Sequence, residues 1–356
     1  MIALIDAVLA KNRPQFLLGI KQLELPGHRV VVDGADAAPE RVDLVIGYPK
    51  SLTAEKLLAL LERGLTYVVL PMAGVAQPFR ELLLSDARFA PLQLYSFHHN
   101  CVATAEMAVA LLLAAARRVV QGDVALRRGL WRRQPAHVFS LRGETALVLG
   151  YGKIGQQVCR VLAALGMKLL AVRRSAAAAT VGADGVLRGA VDELIPGFAS
   201  VEVFPPSALH ALLPRCRAMV LALPDTGESR GLVGAEELAL LPSGPSCVVN
   251  VGRYTAIDEA AMWEHLQKPG TSFGSDVWSQ EVPLGASAAV NDEPLRVTQV
   301  EEHQFEQLEN VVLSPHCAGG MGIDSVEDSR AEFFENLLNT LGTDDAPRAV
   351  DLHSGY

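Results

Sequence analysis

The chain has 356 residues, half of them hydrophobic and 20% charged, with a formal net charge of -9. That length exceeds one ordinary domain and points to two, and the apolar content is enough to bury sizeable cores, which excludes a disordered chain. The acidic balance excludes a general nucleic-acid or anionic-membrane surface, which needs a basic field, but leaves room for a local cationic pocket that holds a small anion.

The chain opens Met1-Ile-Ala-Leu-Ile-Asp6, with no basic segment and no cleavage site, and reads as a first strand and not as a signal peptide. Short apolar runs at Ile2–Ile5, 30–32, Leu44–Ile46, Tyr67–Leu70 and 92–95 predict strands, and 52–63 has helical spacing with Ser51 or Thr53 as its N-cap. An Ala/Leu-rich stretch from Val102 predicts a long helix that bridges two domains; Glu106 interrupts it, and it is too short to span a bilayer. A second series of strands follows at Thr145–Leu149, Lys168–Val172, Ala218–Leu221, 248–251 and Val311–Leu313. Strands alternating with helices at this spacing imply parallel sheets built from βαβ units, and two such series imply two Rossmann-like domains. Residues 176–200, Pro205-Pro206 and 285–307 read as loops, and 324–341 as a last helix that returns to the first domain. Five cysteines (Cys101, Cys159, Cys216, Cys247, Cys317) show no CxxC and no Cys/His metal spacing, as expected of reduced thiols in a cytoplasmic protein without a metal.

The sharpest local pattern is Leu147-Val-Leu-Gly150-Tyr-Gly152-Lys-Ile-Gly155, followed by helical spacing over 156–165. Three glycines between a strand and a helix suit a dinucleotide. Gly150 permits the tight turn, Gly152 lets main chain approach a pyrophosphate, and Gly155 lets the helix pack on the strand. The pyrophosphate then meets the free N–H groups and dipole of the helix N-terminus. At the end of the next strand, where an NAD site places a carboxylate for the ribose 2′-hydroxyl, stand Arg173, Arg174 and Ser175. Guanidinium groups match a 2′-phosphate by bidentate, charge-assisted hydrogen bonds, so the expected cofactor is NADP, with NAD the weaker alternative.

Three further segments follow in order: Asn250-Val-Gly-Arg253, Asp276-Val-Trp278-Ser-Gln-Glu281-Val-Pro283, and Ser314-Pro-His316-Cys-Ala-Gly-Gly320. Together with the glycine turn, with Leu223-Pro-Asp-Thr226-Gly-Glu-Ser-Arg230 and with Asn100–Glu106, they resemble the D-isomer-specific 2-hydroxyacid dehydrogenase family. The resemblance runs from about 40 to 340 and is strongest from 140 to 320. It implies that Arg253 binds substrate, that Glu281 is the catalytic carboxylate and that His316 is the acid/base. The chemistry suits them: a histidine titrates near neutrality and can protonate the oxyanion left by hydride attack on a 2-oxo acid. A carboxylate on its other nitrogen orients the ring and favours the imidazolium, and an arginine binds the substrate carboxylate and polarises the carbonyl.

The same resemblance implies a fold of two Rossmann-like domains with the cofactor domain (101–318) inserted in a flavodoxin-like substrate domain (1–100 plus 319–356), and an active site between them. It places Lys153, Ile154, Leu223, Pro224, Thr226, Val251, Gly252, Asp276 and Gly319 on the cofactor, with Asp276 at the nicotinamide carboxamide. It places Ala73, Gly74 and Val75 on the substrate carboxylate, through main-chain N–H groups. It puts residues 102–118 and 131–135 in a homodimer interface, and makes glyoxylate or hydroxypyruvate the expected substrate, reduced by NADPH. Three features depart from the family pattern: a Val between Glu281 and Pro283, a longer 284–308 and an expanded 176–200. Two other readings share the fold: a phosphite-type dehydrogenase, and a nucleotide-sensing corepressor or scaffold. His98, His99, His137 and His303 have no catalytic context and read as structural or exposed.

Overall fold

In a computed structural model of the chain, all residues are described except 23–26, 73, 76, 132–135, 182–186, 196–198, 282–296, 299–302, 320–323, 344–348 and 354–356. The chain forms two compact units, Met1–Asn100 with Gly320–Tyr356, and Cys101–Gly319.

In the first unit the apolar runs become strands β1 (Ile2–Ile5), β2 (Arg29–Val32), β3 (Leu44–Ile46), β4 (Tyr67–Leu70) and β5 (Gln93–Ser96). They pair in parallel in the order β2-β1-β3-β4-β5, which is the flavodoxin-like order. The period of two sends alternate residues to opposite faces. Ala3 and Ile5 pack with Leu9, Phe16 and Phe97, and with Phe334 and Leu337 of the helix Asp324–Thr340. Leu4, Val31 and Val68 pack with Leu57, Leu60, Phe79 and Leu83 on the other face. Thr53, not Ser51, caps the helix Ala54–Leu61: its hydroxyl accepts from Lys56 N at 3.3 Å.

In the second unit β6 (Thr145–Leu149), β7 (Lys168–Val172), the short pair β8 (Thr180–Val181) and β9 (Leu187–Arg188), β10 (Ala190–Ile195), β11 (Ala199–Phe204), β12 (Ala218–Leu221), β13 (Ser246–Asn250), β14 (Thr271–Ser275) and β15 (Val311–Leu313) follow in turn. The large sheet has the order β10-β11-β7-β6-β12-β13-β14-β15, parallel except for β10 on β11. The helices Cys101–Arg117 and Lys153–Ala164 cover one face, and Leu209–Leu212, Ala235–Ala239 and Glu259–Leu266 the other. The helix Cys101–Arg117, expected to bridge two domains, lies wholly in the second unit; it breaks at Arg118, whose φ of 54° is left-handed, and resumes as Val119–Arg127.

Two readings of the sequence need correction. Residues 176–200 are not one loop, because β10 and β11 form an antiparallel edge in which Leu194, Val201 and Val203 reach the core. β14 has no apolar run, yet all five of its residues are buried. Its hydroxyls are satisfied inside the protein, Ser272 donating to Ser246 O at 2.9 Å and Ser275 to Val277 O at 2.8 Å. Gly274 lets the helix Cys101–Arg117 lie close, since a Cβ there would stand 3.0 Å from Leu111 Cβ. Cys159, Cys216 and Cys247 are free and buried, and burial pushes each thiol up to about 12. Among the described residues no helix is long and apolar enough to cross a membrane.

In the first unit His99 Nε2 lies 2.7 Å from Arg330, whose guanidinium only donates, so the ring is neutral there. Burial first, then the Arg330 and Arg13 cations, lower its pKa from 6.5 to about 3. On acidification the unfolded chain takes up this proton before the folded one, so His99 makes stability fall as the pH drops from 6.5 towards 3. Denaturant unfolding across that window is expected to show a shallower pH slope for His99→Gln, which keeps an acceptor for Arg330; identical slopes would remove His99 as a source of acid sensitivity.

Candidate active site

The register of the large sheet decides where the site forms. Leu149 pairs with Val172 and Leu221, Leu221 with Asn250, Asn250 with Ser275, and Ser275 with Leu313. Six parallel strands therefore stop on one row, and the next residues of each enter a common carboxyl edge. In such sheets ligands bind at that edge, where the strand order reverses. Here the reversal lies between β6 and β12.

At the reversal, Gly150 takes φ 96° and its N–H donates to Val172 O at 3.1 Å. A Cβ on Gly150 would fall 2.6 Å from Ala222 O, and one on Gly155 2.0 Å from Gly150 O. Gly152 caps the helix Lys153–Ala164 in an extended conformation, without a side-chain cap, and a Cβ there would meet nothing within 4 Å. The helix N-terminus thus offers N–H groups beside open space, which fits a dinucleotide pyrophosphate. Lys153 is exposed and Ile154 half-buried in its first turn. After β7, Arg173 Nε donates to Ser175 Oγ at 2.9 Å, and Arg174 lies 3.6 Å from Glu228 of the loop after β12. The sequence reading missed Glu228, because it enters from another strand end, 54 residues away by the numbering of the pair. In that loop Leu223, Pro224 and Thr226 are half-buried, and Ser229 braces it by donating to Pro224 O at 2.5 Å. Val251 and Gly252 are buried, with Gly252 so close to Leu223 that a Cβ would lie 2.6 Å from its carbonyl.

Two loops at the same edge carry the acid/base candidates. His316 Nδ1 and Glu281 Oε2 are 2.7 Å apart, although the residues are 35 apart in sequence. Glu281 Oε1 accepts from Trp278 N at 3.0 Å, and the Trp278 indole donates to Ser314 O at 2.9 Å. With an ionised carboxylate on Nδ1, that nitrogen carries the proton, leaving Nε2 to give or take another. His316 has a φ of 53°, costly for a residue with a Cβ. The turn is held by Asp276, 1% exposed, whose oxygens accept from Cys317 N and Ala318 N at 2.9 Å each, and from the Ser314 hydroxyl. Gly319, half-buried, closes the described part of the turn.

Arg253 leaves β13 three residues past its end, and its guanidinium donates to Gly252 O at 2.8 Å. In the first unit Gly74 has φ 78° and Val75 is half-buried, while Ala73 lies outside the described residues, as do 132–135, Val282, Pro283 and most of 284–308. The described return of that segment docks on the second unit: Val297 O accepts from Gln280 N at 3.1 Å, and His303 stacks on Trp263. Among the described residues one group of potential metal donors occurs, His210 with Glu236 and Glu237, and there His210 already pairs with Glu237 at 2.7 Å.

The model of the D-isomer specific 2-hydroxyacid dehydrogenase NAD-binding domain matches residues 109–318. The chain is 29% identical over 252 residues to D-3-phosphoglycerate dehydrogenase of Methanocaldococcus jannaschii, covering 67% of this chain and 41% of that enzyme. It spans about half or less of the length of the first curated relatives it matches. The hydroxypyruvate reductase of Thermotoga maritima is 24% identical over 339 residues, 94% of this chain and 96% of the relative. In fold, the chain is similar to the NADPH-dependent glyoxylate/hydroxypyruvate reductase of Sinorhizobium meliloti, solved with NADP and sulfate: TM-score 0.68, 22% identity, 100% of this chain and 99% of that one.

The two glycines of the turn make opposite demands, and their alanine variants separate them. Gly155→Ala, with its Cβ inside the Gly150 carbonyl, is expected to cost about 3 kcal/mol or more of stability. Gly152→Ala is expected to melt within about 2 °C of the parent and to bind dinucleotide at least about tenfold more weakly. Thermal melting and fluorescence titration check both; unchanged binding by Gly152→Ala would contradict the pyrophosphate site.

Proposed function

The chain belongs to the D-isomer specific 2-hydroxyacid dehydrogenase family, and we propose that it reduces a small 2-oxo acid, glyoxylate or hydroxypyruvate, to the D-2-hydroxy acid with NADPH. The observation that carries this reading is the Glu281–His316 pair, at 2.7 Å, on the sheet edge that also bears the glycine turn. Gly150–Gly155 would hold the dinucleotide, which when bound would supply the hydride for the carbonyl carbon. Arg253 binds the substrate carboxylate and polarises the carbonyl, which stabilises the charge that grows on its oxygen. His316 gives its Nε2 proton to that oxygen, and Glu281 holds the ring through Nδ1. The Asp276 carboxylate keeps the His316 turn in place throughout.

Support for NADP comes from Arg173, Arg174 and Ser175 where a ribose-binding carboxylate would otherwise stand after β7. The Sinorhizobium reductase, solved with NADP, agrees with it. Support for the substrate class comes from the hydroxypyruvate reductase that spans nearly the whole chain. A homodimer is part of the reading. The helix Cys101–Arg117 is largely buried in its own unit, but Val119, Val120, Val124 and Leu126 on the next helix are 39–57% exposed, an apolar face that suits a second copy.

Turnover followed by nicotinamide absorbance, with glyoxylate and hydroxypyruvate against NADPH and NADH, tests the assignment. NADPH is expected to be preferred, Arg173→Ala with Arg174→Ala to raise its KM about tenfold or more, and His316→Gln to lower kcat about a thousandfold without loss of cofactor binding. Equal use of both cofactors sinks the phosphate reading. Tight NADPH binding without turnover of any 2-oxo acid sinks the reductase.

The association state is measurable by light scattering. A mass near twice 38.1 kDa is expected, with Val120→Asp plus Leu126→Asp driving it towards one chain. A monomeric parent would remove the dimer.

A further inference from the structure

We propose that Asn250 is the residue that positions Arg253 for the substrate carboxylate. Asn250 ends β13 and is 1% exposed, so its amide is out of reach of any substrate. Its side chain folds back over the turn it begins. Oδ1 accepts from Gly252 N–H and Nδ2 donates to the Arg253 carbonyl, each at 3.0 Å. One buried amide thus satisfies the Gly252 N–H, which leaves the sheet ladder at this point, and adds a second donor to the Arg253 carbonyl, which also accepts from Ala256 N at 3.1 Å. The guanidinium of Arg253 grips the same turn through Gly252 O, at 2.8 Å, so its direction is set by main chain that Asn250 braces.

The brace is specific to this turn. The Asn250 carbonyl accepts from Asp276 N–H at 3.0 Å, which tethers the neighbouring loop through main chain and not through the amide. A side-chain change at Asn250 therefore loosens Arg253 while leaving the tether to Asp276 intact. Gly252 lies against Leu223, where a Cβ would come 2.6 Å from one main-chain atom and 2.7 Å from another, so the turn has little room to settle elsewhere.

This inference rests on the reading of Arg253 as the substrate-binding residue, and steady-state kinetics of the full chain separates the two. Asn250→Ala is expected to raise KM for the 2-oxo acid about tenfold or more, with kcat and NADPH affinity within about threefold of the parent. Asn250→Asp keeps the acceptor for Gly252 and loses the donor to Arg253. A buried acid regains an O–H donor when protonated, so its KM is expected to fall more steeply than the parent's as the pH is lowered. A purely structural role would lower the melting temperature with KM unmoved, and would overturn the proposal. Should Asn250→Ala fail to fold, the pH dependence of KM in Asn250→Asp decides, a parent-like slope counting against. Arg253→Gln is the control: if it leaves KM unchanged, the reading of Arg253 itself falls, and the role of Asn250 with it. If it raises KM while both Asn250 variants do not, only the inference about Asn250 falls.

Discussion

Six strands ending on one row is the constraint from which the second unit's chemistry follows. Because Leu149, Val172, Leu221, Asn250, Ser275 and Leu313 pair across the sheet in sequence, segments distant in the chain enter the same edge. The glycine turn, the arginine pair, the Leu223 loop, the Arg253 turn, Asp276 and the His316 turn are each the first few residues after a strand. Hydrogen-bonded register sets their relative heights along the sheet. A shift of two residues in any one strand would move its catalytic group by roughly 7 Å.

Electrostatics at that edge runs against the charge of the whole. The chain carries a net -9, yet the edge concentrates the helix N-terminus behind Gly152, Arg173, Arg174 and Arg253. This local field suits the anionic cofactor and the anionic substrate proposed above, and the net charge elsewhere does not compete at short range because salt screens beyond about 10 Å. Glu228 stands beside Arg174 on this cationic strip, and at 57% and 75% exposure the pair is weak enough to yield to a stronger anion.

Precision of the proposed acid/base pair comes from buried polar groups behind it. Asp276 and the Trp278 indole tie the loop after β14 to the turn after β15, and the left-handed conformation of His316 persists because Asp276 takes two N–H groups from the residues that follow it. Such a network is costly unless every member is satisfied, and here each carboxylate oxygen has at least one donor. Asn250 repeats the device on the Arg253 turn. His316 and Arg253, to which the proposed chemistry is assigned, are thus each backed by a buried group that fixes main chain.

Much of this was legible in the sequence, for physical reasons that also mark where it stopped. Strands β1, β3, β4, β6, β7, β12 and β15 coincide with their apolar runs, since strands covered on both faces are commonly rich in Val, Ile and Leu. The glycine turn was legible because Gly150 and Gly155 stand where main chain excludes a Cβ and Gly152 opens the helix beside free space, and the missing carboxylate after β7 because a charge is read directly. β14 escaped, since its serines and threonine are buried by hydrogen bonds to partners that only the fold supplies, and β10–β11 escaped as an edge whose alternation is broken by acids. That Glu281 and His316 meet, that Asp276 holds the His316 turn and that Asn250 braces Arg253 are distances between atoms far apart or folded back on themselves. Sequence determined which groups the chain owns and the elements that carry them; the register of the sheet and its buried hydrogen bonds decided which groups meet, because pairing across strands is non-local and no local pattern encodes it.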